Sequence, residues 1–425
     1  MLRRLRWTIL LALVALAGGT LWLLFGREPV REGHATLRRK AVGDPSKNQL
    51  VSLAWQILEF TSSCPNDIRG LPDGFNRPRF SHMTVGGESL PVVLDFSGKP
   101  RLCLDGNRDG FLANEPCFHA KTVQLQPQER YWRFGPIQAK LHPQEIGGTS
   151  AFYVSYRASN RDKVQGRSSY PGSLYPAYYR CGKVRLGGCI YKVAVVDGDY
   201  DGQFGSVVSV PVQGIWHLPR CDVFAIDRNR DGKFEISLGA QSEVAPLSRL
   251  LLLDGRYYAV NVAGDGSSLA LTLAEPVQGQ LAVEPRDAKL QLRLWSDAAD
   301  QYLSPGDTRW NLPVGRYQTL SGVLSLQDSA GNEWTFTTAT FGELAAFEIR
   351  PDETTRVRVG PPFLVAARVK QVDREWVPIN LSIVGCAGEE YQASVQCNGR
   401  RPPEPAFQIV DEKGTVLVTD KFQYG

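Results

Sequence analysis

The sequence predicts a mainly β, multi-domain protein behind an N-terminal membrane helix or signal, ending in an immunoglobulin-like sandwich. Three observations predict it. A basic start is followed by a charge-free apolar run within the first 25 residues. From Arg79 onward, short alternating apolar runs are bounded by Gly, Pro, Asn and Asp, as strands and turns require. All eight cysteines follow the apolar run, an even number suited to disulfides in an exported chain.

At 425 residues the chain exceeds one ordinary core, and ~100–200 residues per domain gives two or three. The expected division is a targeting segment at 1–33, a helix plus β region at 34–150, a β domain at 151–280 and a sandwich at 281–425. Apolar content of 43% and charged content of 22% are those of a globular protein. The net charge of +4 hides an asymmetry: residues 1–40 hold eight basic and two acidic groups, which leaves the remainder at −2. No stretch concentrates basic residues as a nucleic-acid binder requires, so no nucleic-acid partner is expected.

The elements follow in order. Arg3, Arg4 and Arg6 precede Trp7 to Phe25, 19 residues without a charge. As a helix this run is about 28 Å long, close to the bilayer core. The basic flank stays on the cytoplasmic side, which places the rest outside. Span length favours a single-pass anchor, while Ala15-Leu16-Ala17 offers the small-residue cleavage site of a secreted chain. Residues 34–48 read as a polar tether. Asn48 to Phe60 places Leu50, Leu53, Ala54, Ile57 and Leu58 at helical spacing. Strands are expected at Leu90 to Phe96, Arg101 to Leu104, Lys121 to Leu125, Ala151 to Tyr156, Tyr191 to Val196 and Asp222 to Ile226. Leu250 to Leu253, Tyr257 to Val262 and Leu269 to Leu273 follow, with hairpin turns at Asp254-Gly255 and Asp265-Gly266. The stretch 275–288 loses alternation and reads as a domain boundary. Beyond it, Ala346 to Ile349, Thr355 to Val359, Leu364 to Val369, Trp376 to Ile383, Ala406 to Val410 and Thr415 to Thr419 fit a sandwich.

Short-range disulfides are expected at Cys103–Cys117, Cys181–Cys189 and Cys386–Cys397, leaving Cys64 with Cys221. Zinc is disfavoured, because there is no C-x-x-C and no histidine pair at helical ligand spacing.

Three acidic loops carry the chemistry. The first runs Asp105-Gly106-Asn107-Arg108-Asp109-Gly110-Phe111, and the second Asp197-Gly198-Asp199-Tyr200-Asp201-Gly202-Gln203. The third is Asp227-Arg228-Asn229-Arg230-Asp231-Gly232-Lys233, followed by Phe234 and Glu235. Each places oxygen side chains at positions 1, 3 and 5, a glycine at 6, and a backbone carbonyl at 7 from Phe111, Gln203 or Lys233. Calcium (Ca2+) takes six to eight hard oxygen ligands, and a chain curling round the ion brings alternate side chains together. Position 12 is Pro116, Val208 or Leu238, not the bidentate glutamate of a helix-pair loop. Each loop follows an apolar strand-like run. The loops therefore resemble the β-type calcium loops of thrombospondin type 3 repeats and integrin α-subunit blades, in which an acid at position 9 completes the site. Glu235 supplies that acid in the third loop. Asn114 or Glu115 is within reach of the first, and the second needs ligands from elsewhere.

Together with the C-terminal stretch Pro403 to Gly425 (PEPAFQIVDEKGTVLVTDKFQYG), the loops resemble a set of uncharacterised bacterial exported proteins over residues 90–425. That resemblance implies location and architecture only. Ser168 to Arg180 gathers Tyr170, Tyr175, Tyr178 and Tyr179 into an expected loop that could stack on a glycan. No G-x-S-x-G or H-E-x-x-H occurs, and Glu389-Glu390 is expected on a solvated face. The expected role is an extracytoplasmic, calcium-stabilised structural or adhesive protein of the cell envelope. A glycan-binding module and a hydrolase of unrecognised type are the alternatives. An envelope protein or a glycan is the expected partner, with the membrane reached through the N-terminal segment.

Overall fold

The computed structural model describes residues 31–422, apart from 44–47, 52, 127–128, 141–148, 160–169, 210–219, 237–241, 285–288, 305–306, 370–378 and 392–394. Among the described residues the sequence alternation becomes seven sheets. Helix is confined there to single 3-10 turns at Gln49–Val51, Leu112–Asn114 and Gly342–Leu344. No helix among them is long and apolar enough to cross a membrane, and the expected span, Trp7 to Phe25, lies outside them.

Most expected strands are found within a residue or two of their predicted ends. Two regions where the sequence misleads lie near the N-terminus. The expected tether is not one over residues 34–43: Glu32–Thr36 and Arg38–Ala41 are strands, with Gly33, Ala35 and Leu37 buried at period two. Gly33 and Ala35 are small and weakly apolar and only Leu37 is strongly so, so hydropathy does not mark the alternation. Residues 48–60 are not a helix. Their apolar positions serve two elements: Leu50, Val51 and Ala54 cover one sheet, while Leu58 and Phe60, on the Gln56–Phe60 strand, enter another core.

Four sheets make up the N-terminal two-thirds. Pro78–Val85, Glu88–Asp95, Arg101–Leu104 and Cys117–His119 form one, packed through Met83, Val92 and Leu102 against Phe134 and Phe152 of a five-stranded sheet. Next come Val244–Pro246, Val223–Ile226, Cys189–Val196, Tyr178–Leu186 and Arg38–Ala41, in that spatial order. The inner face of this sheet packs Val193, Val195 and Phe224 against Leu251 and Leu269 of a fourth sheet. In that fourth sheet Asp254 and Gly255, both left-handed, close the hairpin as expected.

The break in alternation falls on residues 275–277. Gln278–Glu284, inside the stretch read as a boundary, is a strand whose Leu281 and Val283 enter the C-terminal core. It pairs with Arg309–Pro313 and with Thr354–Arg358, and this small sheet faces a nine-stranded one across Leu292, Tyr317 and Leu324. Arg293, only 2% exposed, fastens the two parts. Its guanidinium donates to Ser242 Oγ at 2.8 Å and to the Val244 carbonyl at 2.9 Å, and pairs with Asp300 at 3.2 Å. The Ala406–Val410 and Val416–Lys421 strands form a separate hairpin with Val410, Val416 and Leu417 exposed.

Cys103 and Cys117 are directly opposite on paired strands, Cα atoms 4.4 Å apart, and form the expected disulfide. The other expected pairings do not form, and those six cysteines are free thiols. Register explains one case: Cys181 lies opposite Ala194 and Cys189 opposite Leu186, so they sit at different levels of their hairpin. Cys221 is buried while Cys64 is exposed, and Cys397 lies opposite Trp334 with Cys386 exposed. The tyrosine loop is also absent. Tyr170–Pro176 and Tyr178–Leu186 are strands, and Tyr175 and Tyr179 are buried, which removes them from any sugar-stacking surface. Glu389 is fully buried, not solvated: its carboxylate accepts from the Gly360 and Ala387 amides and the Tyr391 hydroxyl.

Candidate metal centre

The three acidic loops share one backbone. Position 4 is left-handed in each, at Arg108 (φ 64), Tyr200 (φ 62) and Arg230 (φ 63). The position-6 glycine is left-handed too, at Gly110 (φ 77), Gly202 (φ 78) and Gly232 (φ 86), a conformation that glycine adopts without steric cost. The curl turns amides inward. The position-1 carboxylate accepts the position-6 amide at 2.9, 3.0 and 2.8 Å in the three loops. The position-5 carboxylate accepts the position-7 amide, from Phe111, Gln203 or Lys233, at 2.7, 2.7 and 2.8 Å.

Each loop also receives one acid from beyond its motif. In the first, Glu115 accepts the Asn107 amide at 3.0 Å, and Asn114 donates to Asp109 at 2.9 Å. In the third, the acid is Glu243 and not Glu235. Glu243 is buried and accepts the Arg228, Asn229 and Glu235 amides at 2.7, 3.1 and 3.2 Å. The Glu235 side chain is exposed, and only its backbone engages Glu243. In the second loop the acid is Asp222, with Oδ1 on the Gly198 amide at 3.2 Å and Oδ2 on the Gly205 and Ser206 amides. Strand pairing supplies these partners. Val196 lies opposite Val223, so the acid after one strand, Asp197, meets the acid before the next, Asp222.

The second loop differs from the others in what remains unanswered. Asp197 Oδ1 and Asp199 Oδ1 are sealed from solvent and have no hydrogen-bond partner. Asp197, Asp199 and Asp222 each bring an oxygen within 4.8 Å of the other two, a set that can hold a metal ion. Three carboxylates this close repel one another, and burial raises the cost of charging them. Burial, then Asp199 and Asp201, pushes Asp197 up to about 8. Burial, then Asp199 and Asp197, pushes Asp222 well up, and burial followed by Asp199 raises Asp201. At the equivalent position of the first loop the direction reverses: the Asn114 amide and the Phe111 N–H hold exposed Asp109 below the ordinary carboxylate range.

Surrounding elements do the burying. Ser150, from the five-stranded sheet that carries Phe152, donates to Asp197 Oδ2 at 3.3 Å. The Gly86 amide, at the tip of the Pro78–Val85/Glu88–Asp95 hairpin, donates to the Asp199 carbonyl at 3.3 Å. Tyr200 is buried edge-on against Phe152 and donates its hydroxyl to the Ala54 carbonyl. Phe204 donates its amide to the Gly264 carbonyl, in a turn between two strands of the fourth sheet, at 2.9 Å. The acidic triad therefore lies where four sheets meet. No family model, curated protein or solved structure matches the chain.

Proposed function

We propose that the second loop holds a calcium ion and that the chain is a calcium-stabilised structural or adhesive protein of the cell envelope, outside the cytoplasm. The observation that carries this is the pair of sealed, unanswered oxygens on Asp197 and Asp199, facing Asp222. A buried carboxylate normally finds donors or a cation, and two with neither in one cluster call for a cation. The donors are all oxygen, which suits a hard ion, and the Gln203 carbonyl at position 7 is available as a further ligand. A structural ion fits this placement: Asp222 is buried, Asp197 and Asp199 are half-buried with one oxygen each sealed, and elements of four sheets are tied to the loop. The disulfide at Cys103–Cys117 gives the first loop covalent closure of the same kind. Residues 281–425 are read as an immunoglobulin-like sandwich, on the strength of two facing sheets around one core.

The test is thermal melting of the full chain in chelator and in millimolar calcium, with terbium luminescence as a direct readout. Calcium raises the melting temperature and Asp199→Asn removes most of the rise. A melting curve indifferent to chelator and calcium would overturn the reading.

A further inference from the structure

The sheet that carries the second loop has a face that its neighbours leave partly bare. Lys40 lies opposite Tyr179 and Arg38 opposite Cys181. Further along, Lys183 lies opposite Lys192 and Arg185 opposite Ile190. Directly opposed residues share a face, and alternate residues recur on it. Arg38, Lys40, Lys183, Arg185 and Lys192 therefore project from one side of three adjacent strands. One end of that side, at Tyr179, Ala194 and Val196, is covered by Leu50, Val51 and Ala54. Lys40 is exposed at the border of that cover, opposite Tyr179, and beyond it Arg38, Lys183 and Arg185 are exposed, with Ile190 48% exposed among them.

Two properties separate this face from an ordinary solvated one. Among the described residues none of the five cations forms an ion pair. Lys192 reaches the Gly232 carbonyl and the Phe234 ring, both uncharged. Lys183 and Lys192 also stand directly opposite each other, and like charges so placed destabilise a sheet until an anion lies over them. The chain beyond residue 40 is nearly neutral, so this is a local concentration that only strand pairing creates.

We propose that this face rests on an anionic phospholipid surface, its cations on the headgroups and Ile190 entering the interface. Chain length argues for lipid over another polyanion. Twelve residues lie between Phe25 and Arg38, at most ~45 Å of extended chain. If the apolar run is anchored, the face cannot leave the neighbourhood of the bilayer, and basic groups there are drawn to anionic lipid within a Debye length. This part of the argument rests on the anchor reading of residues 1–33, and the experiment separates the two.

The full chain is added to vesicles of phosphatidylcholine, with or without phosphatidylglycerol, at low and high salt. Flotation reports anchoring, and acetylation rates of Lys40 and Lys183, against exposed Lys289 on the C-terminal part, report contact by the face. Lys40 and Lys183 should react several-fold more slowly on phosphatidylglycerol vesicles, with Lys289 unchanged and the difference lost at high salt. Each cation contributes about fivefold to such binding, so Lys183→Glu with Arg185→Glu should abolish the protection of Lys40. Floating on phosphatidylcholine with equal rates on both lipids overturns the proposal and leaves the anchor standing. Floating only on phosphatidylglycerol removes the anchor and supports the face. Tighter binding to RNA or to a sulfated polysaccharide than to phosphatidylglycerol at equal salt overturns lipid as the partner.

Discussion

The second and third acidic loops sit at opposite ends of one short strand. Asp222 precedes Val223–Ile226 and Asp227 follows it. The loops share motif, backbone curl and glycine position, yet they end in different electrostatic states. In the third, Asp227 is answered by the Asp231 and Gly232 amides, and Glu243 by those of Arg228, Asn229 and Glu235. In the second, three carboxylates converge and two of their oxygens meet nothing. What differs is the cover. The third loop opens to water at Asn229 and Asp231, while the matching Asp199 and Asp201 of the second are half-buried, with neighbouring sheets tied to the loop. One motif can thus be a self-satisfied turn or a demand for a cation, according to what packs upon it.

The sharpest way to break the comparison is at position 2. A Cβ on Gly198 would collide with the Cys221 carbonyl, whereas one on Gly106 in the first loop meets only Glu115 Oε2 at 3.5 Å and Leu104 Cδ1 at 3.6 Å. Gly198→Ala should cost roughly 3 kcal/mol or more and weaken calcium binding by displacing Asp222, while Gly106→Ala should stay within about 0.5 kcal/mol. Urea melts of the two variants decide it, and equal costs would mean that the Cys221 carbonyl does not press on position 2 of the second loop.

Next in size is the calcium response. At a hundredfold excess over its dissociation constant, calcium should add about 2.7 kcal/mol to stability. Asp222→Asn should eliminate this gain and Asp231→Asn preserve most of it. The reverse pattern would move the ion to the third loop.

A pH signature follows from Asp197, whose folded-state value of about 8 lies above its ordinary 3.8. The folded protein then holds a proton that the unfolded chain releases. Stability in chelator is full below about pH 4 and is lost as pH rises through about 8. Saturating calcium should flatten this fall, since the ion replaces the proton. Chelator melts that rise with pH over this window would contradict the sign.

The smallest effect is expected at Gly232. Its φ of 86 strains any side chain, yet no atom lies within 4 Å of a Cβ there. Gly232→Ala should cost about 1 kcal/mol, with the calcium response intact.

The strands and the three loops were legible because alternation and turn residues are local signals. Asp222 and Glu243 were not, since each becomes a neighbour only when antiparallel strands fix their register. A trace existed: Val196-Asp197 and Asp222-Val223 mirror one another, an acid after one strand and an acid before the next. The helix expected at 48–60 failed because two short elements happened to share a helical spacing. The basic face is hidden in the sequence for the reason Asp222 is: Arg38 and Lys183 are far apart in sequence and near each other only across paired strands.

Arg293 has a mechanical consequence. Its guanidinium grips Ser242 and Val244, the two residues flanking Glu243. Tension on the C-terminal sheets therefore travels through one side chain to the stretch that closes the third loop. Under load that loop should open before the second, which is tied to its surroundings elsewhere. The molecule would then yield at its self-satisfied turn and keep its cation-held junction for last.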